Sequence, residues 1–301
     1  MTFGLINLHK PSGISSRQAI DPLARLLRPA KVGHAGTLDP LASGVLVVTV
    51  GHATRLTSFV QEWPKTYRGT FLLGRSSDTE DIEGTVLEET SPRRPTREEL
   101  EQAARDLTGL IQQRPPAYSA LKVQGRRAYD LARSGATVDL APRAITIHEL
   151  EVVAYDYPTL ELHIRCSSGT YVRSLGRDLA IAVGTSAVMS QLTRTAIGHL
   201  TLEHAVSLDT LLAGDPAQHV LPAGEAVRGL PRLILDDETT RRIARGQFIE
   251  VPDELLAANR SHEDRDAETV AAFLPDGNLA ALLVRKRGRL FGPERNFIAA
   301  N

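Results

Sequence analysis

The chain has little cysteine and no long apolar run. Cys166 is its only cysteine, so an intrachain disulfide is excluded and nothing indicates an oxidising compartment. No apolar stretch approaches the ~20 residues that a membrane-spanning helix requires. The N-terminus lacks the basic region and the cleavage site of a secretory signal peptide. These absences predict a globular protein that works in the cytoplasm, without a membrane partner.

Several motifs of enzyme chemistry are also missing. No Gly-Lys-Ser/Thr follows a glycine-rich turn, so a phosphate-binding P-loop is excluded, and no Gly-x-Gly-x-x-Gly opens a helix. His34 and His52 have no cysteine or carboxylate at metal-ligand spacing. No serine lies in a Gly-x-Ser-x-Gly elbow. We therefore expect no metal and no cofactor, and a chemistry carried by side chains alone.

The most informative stretch that is present is GHAGTLDPLASG at residues 33–44, followed by VLVVTV at residues 45–50. The second part predicts a fully buried strand. The first part is a loop of three glycines and one proline around a single carboxylate, Asp39. A loop held against a buried strand can fix a reactive group rigidly. The alternative is structural, with Asp39 as the N-cap and Pro40 as the first residue of a helix.

Hydrophobic periodicity predicts a mixed α/β chain. Strands are predicted at residues 3–8, 45–50, 65–74, 144–155, 160–166 and 191–198, with a hairpin around residues 275–278. Helices are predicted at about 16–27, 53–60, 97–107 and 236–244, and after Thr170 as N-cap. The acidic residues 78–83 are expected to form an exposed loop, and residues 222–231 a linker.

Arg173 occupies an unusual position in this pattern. A helix capped by Thr170 would place Arg173 in its first turn, where the helix dipole disfavours a cation by a few tenths of a kcal/mol or more. A fixed anionic partner would explain an arginine at this position. An exposed arginine that reaches water is the alternative.

Residues 111–145 are the best candidate for a nucleic-acid contact. They carry six basic residues against two acidic ones, although the net charge of the whole chain is −1. Tyr118 and Tyr129 flank the cations Lys122, Arg126 and Arg127 there. Cations bind phosphates and aromatic rings stack on bases. The alternative is a basic surface helix whose tyrosines pack inward.

Six short motifs together resemble a known family. They are KPSG at 10–13, GHAGTLDP at 33–40, YRG at 67–69, YSALK at 118–122, GTYVR at 169–173 and LTR at 192–194. Their order and spacing resemble those of bacterial tRNA pseudouridine-55 synthases of the TruB class. The resemblance implies an enzyme that isomerises uridine 55 in the T-loop of tRNA to pseudouridine, without a cofactor. It also implies the tRNA T-arm as partner, no guide RNA, and a monomer.

The resemblance further implies the architecture. The expected fold is α+β, with a bent, largely antiparallel mixed sheet flanked by helices and a small β-rich, PUA-like domain at the C-terminus. Residues 1–228 would form the catalytic domain, with an RNA-gripping insertion at about 111–143. Residues 229–301 would form the PUA-like RNA-binding domain.

Site residues are carried over from the matching motifs. Asp39 matches the nucleophile, Arg173 the arginine that pairs with it, and Tyr67 the tyrosine that stacks on uracil and is a candidate for proton transfer. The remaining matches are substrate contacts, namely His34, Tyr171 and Leu192. The RNA backbone contacts expected in the insertion are Lys122, Arg126 and Arg127.

Two questions stay open at this stage. Asp39 could attack ribose C1′, attack uracil C6, or assist a glycal route. The rival functions are a tRNA-binding or tRNA-folding module with vestigial catalysis, and a subunit of an RNA-guided pseudouridine synthase. The joint presence of Asp39, Tyr67 and Arg173 argues against the first rival, because binding alone does not require the three together.

Overall fold

The structure is a computed structural model, and it describes residues 3–116, 118, 122–123, 126–127, 140–257 and 269–298. For residues 122–123, 126–127 and 257 it describes the backbone alone. Every statement below refers to these residues. In this part of the chain, no helix is long and apolar enough to cross a membrane.

The helices lie between longer runs of strands. They are α1 (Ser16–Leu26), α2 (Thr57–Glu62), α3 (Arg97–Asp106), α4 (Val172–Ala182), α5 (Leu208–Ala213), α6 (Asp237–Ala244) and α7 (Asp253–Ala257). The strands are β1 (Gly4–Lys10), β2 (Val32–His34), β3 (Ser43–Val50), β4 (Lys65–Leu73), β5 (Arg75–Ser76), β6 (Leu87–Glu88), β7 (Gly109–Gln113), β8 (Lys122–Val123), β9 (Arg126–Arg127), β10 (Arg143–Asp156), β11 (Thr159–Cys166), β12 (Ala187–Ile197), β13 (Leu200–Thr201), β14 (Val206–Ser207), β15 (Leu221–Pro222), β16 (Arg232–Ile234), β17 (Ile249–Glu250), β18 (Thr269–Phe273), β19 (Leu279–Arg287) and β20 (Leu290–Asn296).

One large mixed sheet carries the site. Its strands run in the order β14-β1-β3-β12-β4-β11-β10-β7, with β2, β13 and β15 paired at its sides. The pairs β3–β12 and β1–β14 are parallel, and the other pairs are antiparallel. The parallel β3–β12 pair joins the β14-β1-β3 part of the sheet to the antiparallel β12-β4-β11-β10-β7 part, so the loop that enters β3 lies beside β12.

Apolar residues at helical and alternating spacing bury the faces of this sheet. Helices α3 and α4 cover β4, β10, β11 and β12, where Phe71 and Leu175 are fully buried. Helix α1 covers β1 and β3 through Ile20 and Leu23. Burying one such side chain contributes about 1.5–3 kcal/mol, so these contacts fix the helices firmly on the sheet.

A second sheet forms the C-terminal unit. Its order is β16-β18-β19-β20-β17, and helix α6 packs on it through Ile243. Buried residues of β18 and β19 join a cluster with β1, β3 and α2 of the large sheet, so the two sheets share an apolar contact. The predicted boundary between residues 228 and 229 stays a prediction.

Most of the predicted elements are confirmed. The strands at 3–8, 45–50, 65–74, 144–155, 160–166 and 191–198 are β1, β3, β4, β10, β11 and β12. Ser15 caps α1, and Thr96 with Glu99 forms a capping box on α3. Residues 53–60 divide into a 3₁₀ turn, Gly51–Leu56, and α2.

Two expectations about surface segments are wrong. Residues 222–231 are not a free linker, because Ala223–Val227 forms a 3₁₀ turn whose Ala226 is fully buried between the sheets. The acidic residues 78–83 are not wholly exposed, because Asp81 is 2% exposed. In both cases the composition of the segment predicted exposure. A short polar or proline-rich segment can nevertheless have one buried face.

Candidate active site

A cleft of about 1110 Å³ opens beside the central strands of the large sheet. One wall is the aspartate loop, residues 35–42, and the facing wall is the acidic segment, residues 78–83. The start of α4 and the strands β4 and β12 complete the lining. The cleft therefore brings together segments that are up to about 150 residues apart in sequence. It lies where the parallel β3–β12 pair joins the two parts of the large sheet.

Asp39 lies in a β-turn of the aspartate loop and not at a helix start. The backbone N–H of Ala42 donates to the Asp39 carbonyl at 3.1 Å, and the chain then enters β3 directly. The helix-cap interpretation of Asp39 is therefore wrong: a buried strand follows, and it leaves no room for a helix. The Asp39 side chain is 41% exposed, facing the cleft.

The turn between β1 and α1 anchors the aspartate loop from one side. Ser16 Oγ accepts from the Leu38 N–H at 2.8 Å and donates to the Leu38 carbonyl at 3.0 Å. Ser12 Oγ donates to the Leu41 carbonyl at 2.8 Å, and the Gly13 N–H donates to the Pro40 carbonyl at 2.8 Å. Leu38 and Leu41 also pack into the core below. The KPSG motif therefore supports the aspartate loop.

Arg173 lies at the start of α4 and points at two carboxylates. Its Nη2 is 3.0 Å from Asp39 Oδ2, and its Nη1 is 3.3 Å from Asp81 Oδ2. The N-cap of α4 is Tyr171 and not Thr170, whose hydroxyl instead donates to the Ser167 carbonyl at 3.1 Å. Arg173 is 8% exposed, so the alternative of an arginine reaching water is wrong. Two anions offset the unfavourable helix dipole.

The acidic segment supplies the second carboxylate, which the sequence analysis missed. Asp81 accepts from the Thr79 hydroxyl at 2.5 Å and from the Glu83 N–H at 3.0 Å, so its position is fixed locally. The Thr79 carbonyl accepts from Arg173 at 2.7 Å. Glu80, with a φ of 63°, accepts at 2.6 Å from Ser174, the residue that follows Arg173 in α4. In the sequence, the position of Arg173 in the first turn of a helix indicated an anionic partner. It did not indicate that there would be a second one.

Tyr67 and Leu192 face the cleft from adjacent strands. Each is 8% exposed, and Leu192 pairs with Gly69 across β12 and β4. A Cβ on Gly69 would lie 3.5 Å from Leu192 and 3.1 Å from Phe71. Glycine therefore leaves the strand surface between these side chains free of a further side chain. Burial raises the pKa of Tyr67, while the charge of Arg194 acts in the opposite direction. The phenol is therefore protonated at neutral pH, and its ring is available as a flat apolar surface.

Tyr171 lines the cleft just before α4. Gln113 holds its backbone from both sides, accepting from the Tyr171 N–H at 2.9 Å and donating to its carbonyl at 3.0 Å. The Arg143 guanidinium carbon lies 4.7 Å from the centre of the Tyr171 ring. Arg143 also donates to the Gly169 carbonyl. The base of the insertion therefore contacts the cleft through Gln113 and Arg143.

His34 ends β2, ahead of the aspartate loop. It is half-buried and is not among the residues that line the cleft in the described part of the chain. Its Nδ1 is buried without a hydrogen-bond partner. Burial lowers the pKa of His34, and the charges of Arg194 and Arg17 lower it further, so the ring is neutral at pH 7.

Two buried cations in the lining were not predicted. Lys65 is 6% exposed and donates to the Gln61 carbonyl; burial, followed by the charge of Arg194, lowers its pKa to about 8. Arg194 is 2% exposed and contacts the aspartate loop. Arg194 belongs to the LTR motif, but nothing local in the sequence shows that its side chain turns inward.

The side chains of Lys122, Arg126 and Arg127 lie outside the described residues; their backbones pair as β8 and β9. The Tyr118 carbonyl accepts from Arg173 at 3.2 Å, so the insertion reaches the cleft at this point. The alternative of a basic surface helix is wrong at the four residues of β8 and β9, because their backbones form strands, whereas the RNA-gripping role of the insertion stays a prediction. Among the described residues, no group of three His, Cys, Asp or Glu side chains is placed to hold a metal ion.

Comparison with known proteins agrees with this geometry. A family model described as TruB family pseudouridylate synthase (N terminal domain) matches residues 24–172. A relative from Burkholderia lata named tRNA pseudouridine synthase B is 38% identical and covers 99% of this chain and 91% of the relative. Relatives of the same name from Arthrobacter sp. (40% identical; 96% and 94% covered) and Streptococcus sanguinis (36%; 98% and 99%) align equally fully.

Solved structures share the fold. The protein chain of an H/ACA RNP bound to a substrate RNA containing 2′-deoxyuridine superposes with a TM-score of 0.74 at 22% identity, covering 100% of this chain and 86% of that chain. A Cbf5-Nop10-Gar1 complex gives a TM-score of 0.73 at 23% identity, covering 99% and 86%. The predicted fold class is confirmed, namely the pseudouridine synthase fold with mixed sheet, flanking helices and a C-terminal sheet of PUA-like type.

The sequence relatives align over nearly the whole chain and most of their own length, so the similarity extends beyond one shared motif. It includes the cleft, where the family model covers Asp39, Tyr67 and the first residue of α4. The chain belongs to the TruB family of pseudouridylate synthases, and it is an isomerase.

Proposed function

We propose that this enzyme converts uridine 55 in the T-loop of tRNA to pseudouridine, with Asp39 as the nucleophile. The observation that carries the proposal is the Asp39 carboxylate, exposed to the cleft and 3.0 Å from the Arg173 guanidinium. The charged hydrogen-bonding contact with the guanidinium holds the carboxylate in one direction at the edge of the cleft. The curated relatives are named for tRNA, which supports the substrate.

The reaction breaks the C1′–N1 bond, turns the uracil, and joins C5 to C1′. N1 gains a hydrogen and C5 loses one, so no cofactor is needed for balance. The target base must leave its stack, at a cost of a few kcal/mol. Stacking on the buried ring of Tyr67 offsets that cost by about 1–3 kcal/mol. Leu192 and Tyr171 would confine the base, and His34 would fill the space that the base vacates.

Two steps of the chemistry remain open within the proposal. Asp39 could attack C1′, attack C6, or assist a glycal route, and all three require an ionised carboxylate near the nucleotide. A base must take the C5 proton after the new bond forms. Tyr67 is protonated at neutral pH, so it would accept that proton only if its own proton were passed on first.

We further propose that the insertion, with Lys122, Arg126 and Arg127, and residues 229–301 bind the tRNA, and that the enzyme acts as a monomer without guide RNA. The contacts of Gln113, Arg143 and the Tyr118 carbonyl with the cleft lining support a coupling between insertion and site. The cytoplasmic location inferred from the sequence stays a prediction.

The test is tritium release from a bare T-stem-loop RNA labelled at uridine C5. We expect release by the purified wild type and none by Asp39→Asn, with RNA affinity largely retained. Asp21→Asn is the matched control, because Asp21 is also partly exposed (36%) and paired with an arginine, Arg17, at 2.6 Å. Asp21→Asn should keep the wild-type rate.

Each alternative predicts a different result in the same assay. A wild type that binds the RNA but releases no tritium would indicate a binding or folding module. Release only after guide RNA is added would indicate an RNA-guided subunit. Full activity of Asp39→Asn would remove Asp39 as the nucleophile.

A further inference from the structure

Arg194 contacts both ends of the aspartate loop with one side chain. Its Nη2 donates to the Gly36 carbonyl at 3.0 Å and its Nη1 lies 3.3 Å from the Thr37 carbonyl, both near the start of the loop. Its Nε donates to the Val45 carbonyl at 2.7 Å, just beyond the end of the loop. Asp39 lies between these contacts. Closing the two ends on one guanidinium limits how far the residues between them can move.

The backbone of Arg194 meets the same loop. Arg194 pairs with Gly44 in the parallel β3–β12 contact, and a Cβ on Gly44 would lie 2.2 Å from the Arg194 carbonyl oxygen. Gly44 has a φ of +105°. On the other side, Arg194 pairs with Tyr67 on β4. One residue of β12 is therefore adjacent to the loop of the carboxylate and to the strand of the stacking tyrosine.

The burial of Arg194 needs an explanation, because no carboxylate of the described residues forms an ion pair with it. Its nearest charged neighbours include Lys65 and Lys10, whose pKa values its charge lowers. Burying a cation among cations is costly. The compensation lies in three carbonyls that accept from the guanidinium, two of them in the irregular aspartate loop and the third in β3. Guanidinium suits this task, since it presents five donors in a rigid planar fork, whereas an ammonium group is a single point.

We infer that Arg194 is a positioning residue, which holds the aspartate loop at both ends and thereby fixes Asp39 relative to Tyr67 and Arg173. The inference rests on the proposed role of Asp39. Arg194 acts through backbone carbonyls, so its effect belongs to the chemical step and not to the binding of RNA. A misplacement of about 1 Å at a reacting group can cost about 100-fold in rate. Removal of the carbonyl contacts of Arg194 permits displacements of that order.

The test uses Arg194→Lys, which keeps the charge and loses the fork. We expect the single-turnover rate of tritium release at saturating enzyme to fall about 10- to 100-fold. The Kd for T-stem-loop RNA should change less than about threefold, because no phosphate contact is removed. Backbone amide exchange of residues 35–44 in the RNA-free protein should accelerate, while the exchange of α3 stays unchanged.

Arg97→Met is the control, because Arg97 also donates to a backbone carbonyl, that of Val152, at 2.9 Å but lies outside the cleft. It should keep the wild-type rate. An inactive wild type would refute the proposed function. An active wild type matched by Arg194→Lys in rate would refute the inference alone. A slower Arg194→Lys with wild-type loop exchange would refute it too, since the rate would then have fallen without any loosening of the aspartate loop.

Unfolding does not confuse these outcomes. The single-turnover rate constant at saturating enzyme is a property of the folded complex. Partial unfolding leaves it unchanged and lowers the amplitude only when folded enzyme falls below the RNA concentration. If amplitude is low, trimethylamine N-oxide favours the compact state. A variant with no amplitude even then would show that Arg194 is required for folding, and this would overturn its assignment as a positioning residue.

Discussion

The two walls of the cleft are both irregular segments held by a buried arginine, but the two arginines hold them differently. Arg194 binds the aspartate loop through carbonyl oxygens alone. Arg173 binds the acidic segment through the Asp81 carboxylate as well as the Thr79 carbonyl, and it also pairs with Asp39. The first arginine contacts groups of fixed dipole, and the second contacts groups that can gain or lose charge.

This difference separates two tasks that a reactive carboxylate requires. Carbonyl contacts fix where the Asp39 backbone lies. The pairing with Arg173 sets the direction of the Asp39 side chain, and Asp81 holds Arg173 from the other side. Because Asp81 is buried, the acidic wall depends on Arg173 energetically, whereas the aspartate loop has a second anchor at Ser16.

The largest effect is expected where charge is buried. Arg173→Met leaves Asp81 buried without its cation, so the free energy of unfolding should fall by about 3–5 kcal/mol, measured by urea denaturation. Tritium release should also be lost, because the direction of Asp39 is no longer fixed. Adding Asp81→Asn to Arg173→Met should restore much of the stability and none of the activity. A double variant no more stable than Arg173→Met would show that Asp81 carries no buried charge.

The walls also differ in how far the sequence predicts them. The aspartate loop was predicted because glycines, Pro40 and an apolar strand form one continuous local pattern. A need for an anion at Arg173 followed from the helix dipole. Asp81 was missed because an acidic run looks like surface when its buried partner, 92 positions away, is unknown. Arg194 was missed for the same reason: its acceptors lie 149 to 158 positions away.

The aspartate loop, which Arg194 contacts through carbonyl oxygens, can be displaced by a change in the backbone where β3 meets β12. Gly44→Ala puts a Cβ at positive φ and 2.2 Å from the Arg194 carbonyl, whereas Gly109→Ala has a similar φ (+103°) with nothing within 4 Å. Both should lose about 1–2 kcal/mol of unfolding free energy to backbone strain. Gly44→Ala should lose about 1–3 kcal/mol more, because β12 must move away from the loop. Equal losses in the two variants would mean that the close approach of β12 is unimportant.

The smallest effect concerns Lys65, which lies in the lining between the walls near Arg194. Its native pKa of about 8 is below the ordinary lysine pKa of 10.5, so between these values the unfolded chain binds more protons than the native one. The free energy of unfolding should therefore rise with pH in this window, by about 1–2 kcal/mol between pH 8 and 9.5. Lys10, also lowered to about 8, adds a similar rise. Cys166, raised to about 11, opposes both above pH 9.

Lys65→Met isolates the contribution of this lysine, because Lys10 and Cys166 are present in both proteins. Urea denaturation at pH 8 and pH 9.5 should show a smaller rise in Lys65→Met than in the wild type. An equal rise in wild type and Lys65→Met would mean that Lys65 keeps its charge on burial and does not contribute to the pH dependence.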